Sequence, residues 1–96
     1  MNDAAGTVHH EPERHRFVLD SDAGEAYIEY TEPAPGTLDY RHTFVPHALR
    51  GGGVASRVAA FALDYALEHG ITVIPTCPFV ASYIARHPRF ASVIAK

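Results

Sequence analysis

The sequence predicts a two-layer α/β sandwich: an antiparallel meander of strands, a long helix, one parallel strand and a second helix. Three observations carry that expectation. Short β-rich runs separated by turn residues fill the first half of the chain, as a meander requires. Val54–His69 is rich in Ala and Leu and free of Pro and Gly, which favours helix. A short apolar run, Ile71–Ile74, follows that helix directly, and a strand–helix–strand unit brings its two strands together in parallel. With 96 residues there is room for one domain.

Residues 1–14 are polar and rich in Glu, His and Gly without an apolar period, so they read as a flexible tail ahead of a single domain over 15–96. Phe17–Asp20 is the first strand, ended by the turn chemistry of Ser21-Asp22-Ala23-Gly24. Ala26–Thr31 returns as its hairpin partner. The prolines of Glu32-Pro33-Ala34-Pro35-Gly36 cannot donate to a ladder, which makes that segment the next connection. From Thr37 to Val45 the residues alternate: Leu38, Tyr40, His42 and Phe44 fall on one face, Asp39, Arg41 and Thr43 on the other. Pro46 ends that strand.

In the first helix Val54, Val58, Phe61 and Tyr65 form an apolar stripe, with Ala55, Ala59, Ala62 and Ala66 beside it. Small residues there permit close packing on a sheet. Gly70 suits the position that stops the helix. After the Ile71–Ile74 strand, Pro78 suits the first turn of a second helix, roughly Pro78–Arg86, which His87-Pro88 terminates.

Charge and composition narrow the function. The formal charge is −3 with seven histidines counted neutral, and the basic residues are scattered, which argues against a nucleic-acid groove or an anionic membrane surface. A single cysteine excludes an internal disulfide and a cysteine-rich metal site. His9, His10 and His15 lack a carboxylate-anchored spacing, so no metal site is expected from them. No apolar run approaches the roughly 20 residues of a membrane span and no signal-peptide core begins the chain, so the expected location is the cytoplasm.

The informative segment is Thr43-Phe44-Val45-Pro46-His47-Ala48-Leu49-Arg50-Gly51-Gly52-Gly53-Val54-Ala55, where a strand feeds a glycine turn that opens the long helix. Glycines let the backbone approach a ligand closely, and the N–H groups of a first helical turn carry partial positive charge. A diphosphate fits that geometry, with Arg50 adding a charge-assisted contact. The plainer alternative is a connection that merely permits a sharp turn. Lysine is absent where a Walker loop needs it, and the strand after the helix runs into Pro75-Thr76-Cys77 rather than an acidic residue for a ribose.

Arg50-x-x-Gly53-x-Ala55, after a strand ending in Val45-Pro46, resembles the R/Q-x-x-G-x-G/A signature of the GNAT N-acetyltransferases. The stretches His42–Pro46, Thr76-Cys77-Pro78-Phe79 and Tyr83-x-x-x-His87-Pro88 look like a short branch of that superfamily, and the resemblance covers roughly residues 15–90. It implies a minimal GNAT-like fold with acetyl-CoA or coenzyme A as acyl-donor substrate. The amides of Arg50, Gly51, Gly52, Gly53, Val54 and Ala55 would hold the pyrophosphate, and Phe44 and Val45 would pair with the pantetheine arm. The reaction it implies is acetyl transfer to an amine by direct attack; the acceptor itself is not legible. The chain departs from the larger family in lacking the usual N-terminal helices and the Asn-x-x-Ala-x-x-x-Tyr of the second helix, which Cys77 begins instead.

Three residues are candidates for chemistry. Cys77 precedes Pro78 at a helix N-terminus, a position that favours thiolate. It can carry an acyl group, protonate the departing thiolate, contact the cofactor, or be a small apolar filler. Tyr83 is either a general acid or a packed core residue. His42, expected on the apolar face, is either a base for the amine or a hydrogen-bonded structural histidine. The competing functions are a non-catalytic CoA- or acyl-CoA-binding module and a nucleotide or phosphate binder using the same loop.

Overall fold

A computed structural model describes residues 7–94. Five strands, β1 (Thr7–Glu11), β2 (Arg16–Ser21), β3 (Gly24–Ala34), β4 (Thr37–Phe44) and β5 (Thr72–Ile74), form one sheet in sequence order. β1 to β4 are antiparallel neighbours, and β5 runs parallel to β4. Between them lies helix α1 (Val54–His69); helix α2 (Pro78–Arg86) and a 3-10 stretch (Pro88–Val93) follow β5. Ile94 then bridges to Val73, beside β5.

One apolar cluster joins the inner face of the sheet to the helical layer. Phe17, Leu19, Ile28 and Tyr40 from the strands meet Val58, Ala62 and Leu63 of α1 and Val80 and Ile84 of α2. Each fully buried large apolar side chain contributes about 1.5–3 kcal/mol. The α1 stripe is centred on Val58, Ala62, Leu63 and Ala66, while Phe61 and Tyr65 pack at its border. Tyr40 ties the layers together by donating its hydroxyl to the Ala62 carbonyl at 2.7 Å. Gly70 stops α1 in the left-handed conformation (φ 66°), where a side chain would be strained.

Three expectations are corrected. The flexible tail over 1–14 does not hold for the described residues: Thr7–Glu11 pairs with Asp20–Arg16 as strand β1, and Pro12–Arg14 is a 3-10 turn; residues 1–6 lie outside the described part. β1 packs on the core through His10 as well as Val8, and a single aliphatic residue makes no apolar period. The His10 ring stacks on Phe17 (4.4 Å between centroids), meets Tyr65 of α1 edge-on (4.6 Å), and its Nε2 lies 2.6 Å from the Tyr30 hydroxyl. Burial lowers the His10 pKa and raises that of Tyr30 to about 12.

Second, β3 continues through Pro33 to Ala34. The register shifts between Thr31 and Ala34, and a proline without an N–H is tolerated at such an irregularity. Third, β4 does not alternate uniformly. Tyr30 pairs with Tyr40 but Glu29 pairs with His42, so Arg41 is an extra residue in a β-bulge. The bulge reverses the alternation beyond it. Thr43 becomes the partner of Ile28 on the inner face, while His42 and Phe44 join Glu29 and Tyr27 on the outer one. Both His42 and Phe44 are exposed.

Candidate functional site

The end of β4 leads through a 3-10 turn (His47–Leu49) to Arg50 and the glycines. Gly51 and Gly53 have φ of 85° and 77°, a region L side chains rarely adopt, so this path into α1 requires glycine at both positions. A β-carbon built on either meets nothing within 4 Å, so the space beside them is open. That space is a cavity of about 250 Å³ lined by Val45, Leu49, Arg50, Gly51, Gly53, the first turn of α1 and Phe79.

Gly53 is the N-cap of α1 and offers no side chain to the helix end. The first intrahelical bond runs from Arg57 N–H to the Gly53 carbonyl at 3.1 Å, so the N–H groups of Val54, Ala55 and Ser56 precede it without an intrahelical acceptor. They line the cavity at the positive end of a 16-residue helix. Arg50 donates from Nε to the Val45 carbonyl at 3.1 Å, which holds its guanidinium at the rim. Chemically the arrangement suits an anion with several acceptor oxygens, approached by backbone rather than by a pair of fixed charges.

Of the residues nominated for the loop, Val45, Arg50, Gly51, Gly53, Val54 and Ala55 line this cavity. Gly52, Phe44 and Cys77 are not among its lining residues; Phe44 faces away, its ring 5.3 Å from that of Tyr27. Leu49, Ser56 and Phe79 were missed. Ser56 follows from the helix start, whereas Phe79 comes from α2 and joins the wall only through the fold.

Cys77 lies where β5 leaves β4. The parallel ladder ends at Asp39↔Ile74, and the Cys77 N–H adds one bond to the Tyr40 carbonyl at 2.9 Å. Beyond it, β4 is laddered to β3 alone. Cys77 is the N-cap of α2, buried, with its Sγ 3.2 Å from the Thr43 hydroxyl that the bulge has turned inward. Tyr83 is also buried. Its ring stacks on His87 (3.9 Å) and lies close to Phe90 (6.1 Å). Tyr83 follows the N-cap Cys77 by six positions, a rise of about 9 Å along the helix axis. His42 lies on the other face of the sheet and lines a separate cavity. The three chemical candidates are therefore not one constellation. Among the described residues no group of three His, Cys, Asp or Glu could hold a metal ion, and no helix is long and apolar enough to cross a membrane.

A sequence model of the GCN5-related N-acetyl-transferases matches residues 16–93. The chain belongs to that family. Among curated relatives of this GCN5-related chain is Protein NATD1 of Xenopus tropicalis, 31% identical over 83 residues, or 84% of this chain and 76% of the relative. Protein NATD1 of Homo sapiens is likewise 31% identical, over 84% of this chain and 74% of its own. The solution structure of a GCN5-like N-acetyltransferase candidate from Staphylococcus aureus superposes with a TM-score of 0.73, covering 97% of this chain and 91% of that one. At 19% identity that likeness speaks to the fold. The five-strand mixed sheet with two main helices is thus the GNAT-like fold.

Proposed function

We propose that this GCN5-related chain is an N-acetyltransferase that takes acetyl-CoA as donor and passes its acetyl group to an amine. The observation that carries the reading is the uncapped first turn of α1, opening onto a cavity with Arg50 and two left-handed glycines at its mouth. In this reading the N–H groups of Val54, Ala55 and Ser56, with the Arg50 guanidinium, hold the coenzyme A diphosphate. Val45 and Phe79 supply apolar wall for the pantetheine arm, which runs along β4 toward the bulge. Membership of the family supports the donor; the two glycines fit it because an added β-carbon at either would stand in the space the diphosphate needs.

The transfer we propose is direct. The amine nitrogen bonds to the thioester carbonyl carbon, the C–S bond breaks with its electron pair on sulfur, and the amine loses a proton. His42 is the candidate to accept that proton from an amine that approaches β4 on the face opposite the groove, across the edge that β5 leaves free. Cys77 is the candidate to protonate the sulfur, its own thiol braced by the Thr43 hydroxyl. Tyr83, on the same helix, is the alternative proton donor. The test is to incubate the protein with acetyl-CoA and a panel of amines and to read products by mass spectrometry. Acetylated amine together with free coenzyme A is the expected result. Stabilisation by ATP or NAD but not by coenzyme A would overturn the donor. Tight acetyl-CoA binding without turnover of any amine would make the chain an acyl-CoA-binding module instead.

A further inference from the structure

On the sheet face away from α1 a second cavity, about 450 Å³ in volume, is built around the β4 bulge. Two departures from regular backbone meet there. The bulge inserts Arg41 and re-aims His42, and His15, with φ 53°, is the one described non-glycine residue at positive φ. Both cost stability in an ordinary hairpin and gather where side chains must be aimed.

The side chains aimed there carry both signs of charge. Arg14 and Arg41 bring guanidiniums, Glu29 a carboxylate, and His15 and His42 imidazoles. Arg41 is braced: its Nη1 donates to Asp39 Oδ2 at 2.9 Å, and Asp39, itself buried, accepts the Thr76 hydroxyl on its other oxygen. A guanidinium has five N–H donors, so that brace leaves donors for a ligand carboxylate. Glu29 and His42 are register partners across β3 and β4, which sets their β-carbons about 4.5–5.5 Å apart. A carboxylate beside an imidazole attracts an ammonium and can relieve it of a proton. His42 lies three residues before Val45 but on the opposite face of the sheet, and the β5 ladder ends at Asp39, so the two cavities meet across the edge of β4 that β5 leaves free.

We propose that this cavity takes the acyl acceptor, and that the acceptor is a small primary amine carrying a carboxylate. Its carboxylate lies on Arg41 and Arg14, its amine at Glu29 and His42. The assignment rests on the acetyl-CoA reading of the glycine groove for its chemistry, but the binding claim stands on this cavity alone. In the reaction the bound ammonium gives one proton to the His42 imidazole, the freed amine nitrogen forms the bond to the acetyl carbon, sulfur leaves with the C–S electron pair, and the second nitrogen proton ends on that sulfur. A small molecule suits the site because both signs line one open cleft of about 450 Å³, within the range of ligand pockets, about 300–1,000 Å³.

The experiment is an NMR titration of isotope-labelled protein, without donor, against glycine, β-alanine, 4-aminobutyrate and lysine, with butylamine and butyrate as single-charge controls. At least one zwitterion should move the amide signals of Glu29–Thr31 and Arg41–His42 and bind more tightly than either control. Arg41→Gln should weaken that zwitterion about tenfold and leave butylamine unchanged, since a charge-assisted contact of that size is lost. Glu29→Gln should weaken both amines. Equal affinity for butylamine and every zwitterion, or no shifts at this cavity, would overturn the proposal. So would preferential binding of an end-capped Lys-Glu peptide, which would point to a protein acceptor. Coenzyme A is titrated separately against the Gly51–Ser56 signals. Shifts there without an amine response refute only the acceptor site; an amine response without shifts there refutes only the donor reading.

Discussion

Gly53 and Gly70 bracket α1 and invite a paired test. Both are left-handed, with φ of 77° and 66°, and a β-carbon at either meets no atom within 4 Å. Replacing either by alanine introduces no clash, only the cost of holding an L-residue in that conformation, about 1–2 kcal/mol. For a domain of this size each kcal/mol lowers Tm by about 4–8 °C, so both variants should melt several degrees early and by similar amounts. They differ in position. Gly53 lines the groove at the helix N-terminus, whereas Gly70 sits at the opposite end, about 24 Å along a helix of 16 residues. Gly53→Ala puts a methyl group into the space assigned to the diphosphate and should weaken coenzyme A at least tenfold, about 1.4 kcal/mol. Gly70→Ala should leave affinity unchanged. Thermal denaturation and calorimetric titration of the two variants measure both quantities. Coenzyme A binding to Gly53→Ala with wild-type affinity would refute the groove assignment, and equal weakening in both would trace the effect to stability rather than contact.

Arg50→Ala should weaken coenzyme A by about 1.5–3 kcal/mol in the same titration while the backbone donors persist. Cys77→Ala should retain acetyl-CoA binding and slow transfer without abolishing it; an acetyl adduct on Cys77 that an added amine discharges, read by intact-protein mass spectrometry, would instead establish a two-step route. The pKa of His10 is depressed from its ordinary 6.5, mainly by burial and also by nearby His69 and His15, against an opposing pull from Glu13. The unfolded chain therefore binds that proton more readily, and stability falls as pH drops through 6.5 into the depressed range. His10→Phe, which keeps the ring contacts, should flatten that slope in denaturant titrations between pH 7 and 5, and an unchanged slope would place its origin elsewhere.

Local chemistry made much of the chain legible. The helices occupy Val54–His69 and Pro78–Arg86 as read, because their limits are written in residues that act alone: glycine at a left-handed stop, proline in a first turn, proline after an end. The glycine groove was legible for the same reason, since positive φ at Gly51 and Gly53 is a backbone demand that few other residues meet. β1 was not. Its docking joins Val8 to an imidazole that finds Phe17, Tyr30 and Tyr65, which come from three other elements.

What the sequence by itself determined is the order and type of the later elements, the parallel crossover and the glycine turn that opens α1. What only the tertiary structure decided is the meaning of β4. Strand alternation predicts a face from parity, and one inserted residue inverts that parity for everything beyond it. Nothing local marks Arg41 as that residue; the insertion exists only in the pairing of β4 with β3. It sends Thr43 inward to Cys77 and turns His42, which parity places on the apolar face, outward to Glu29.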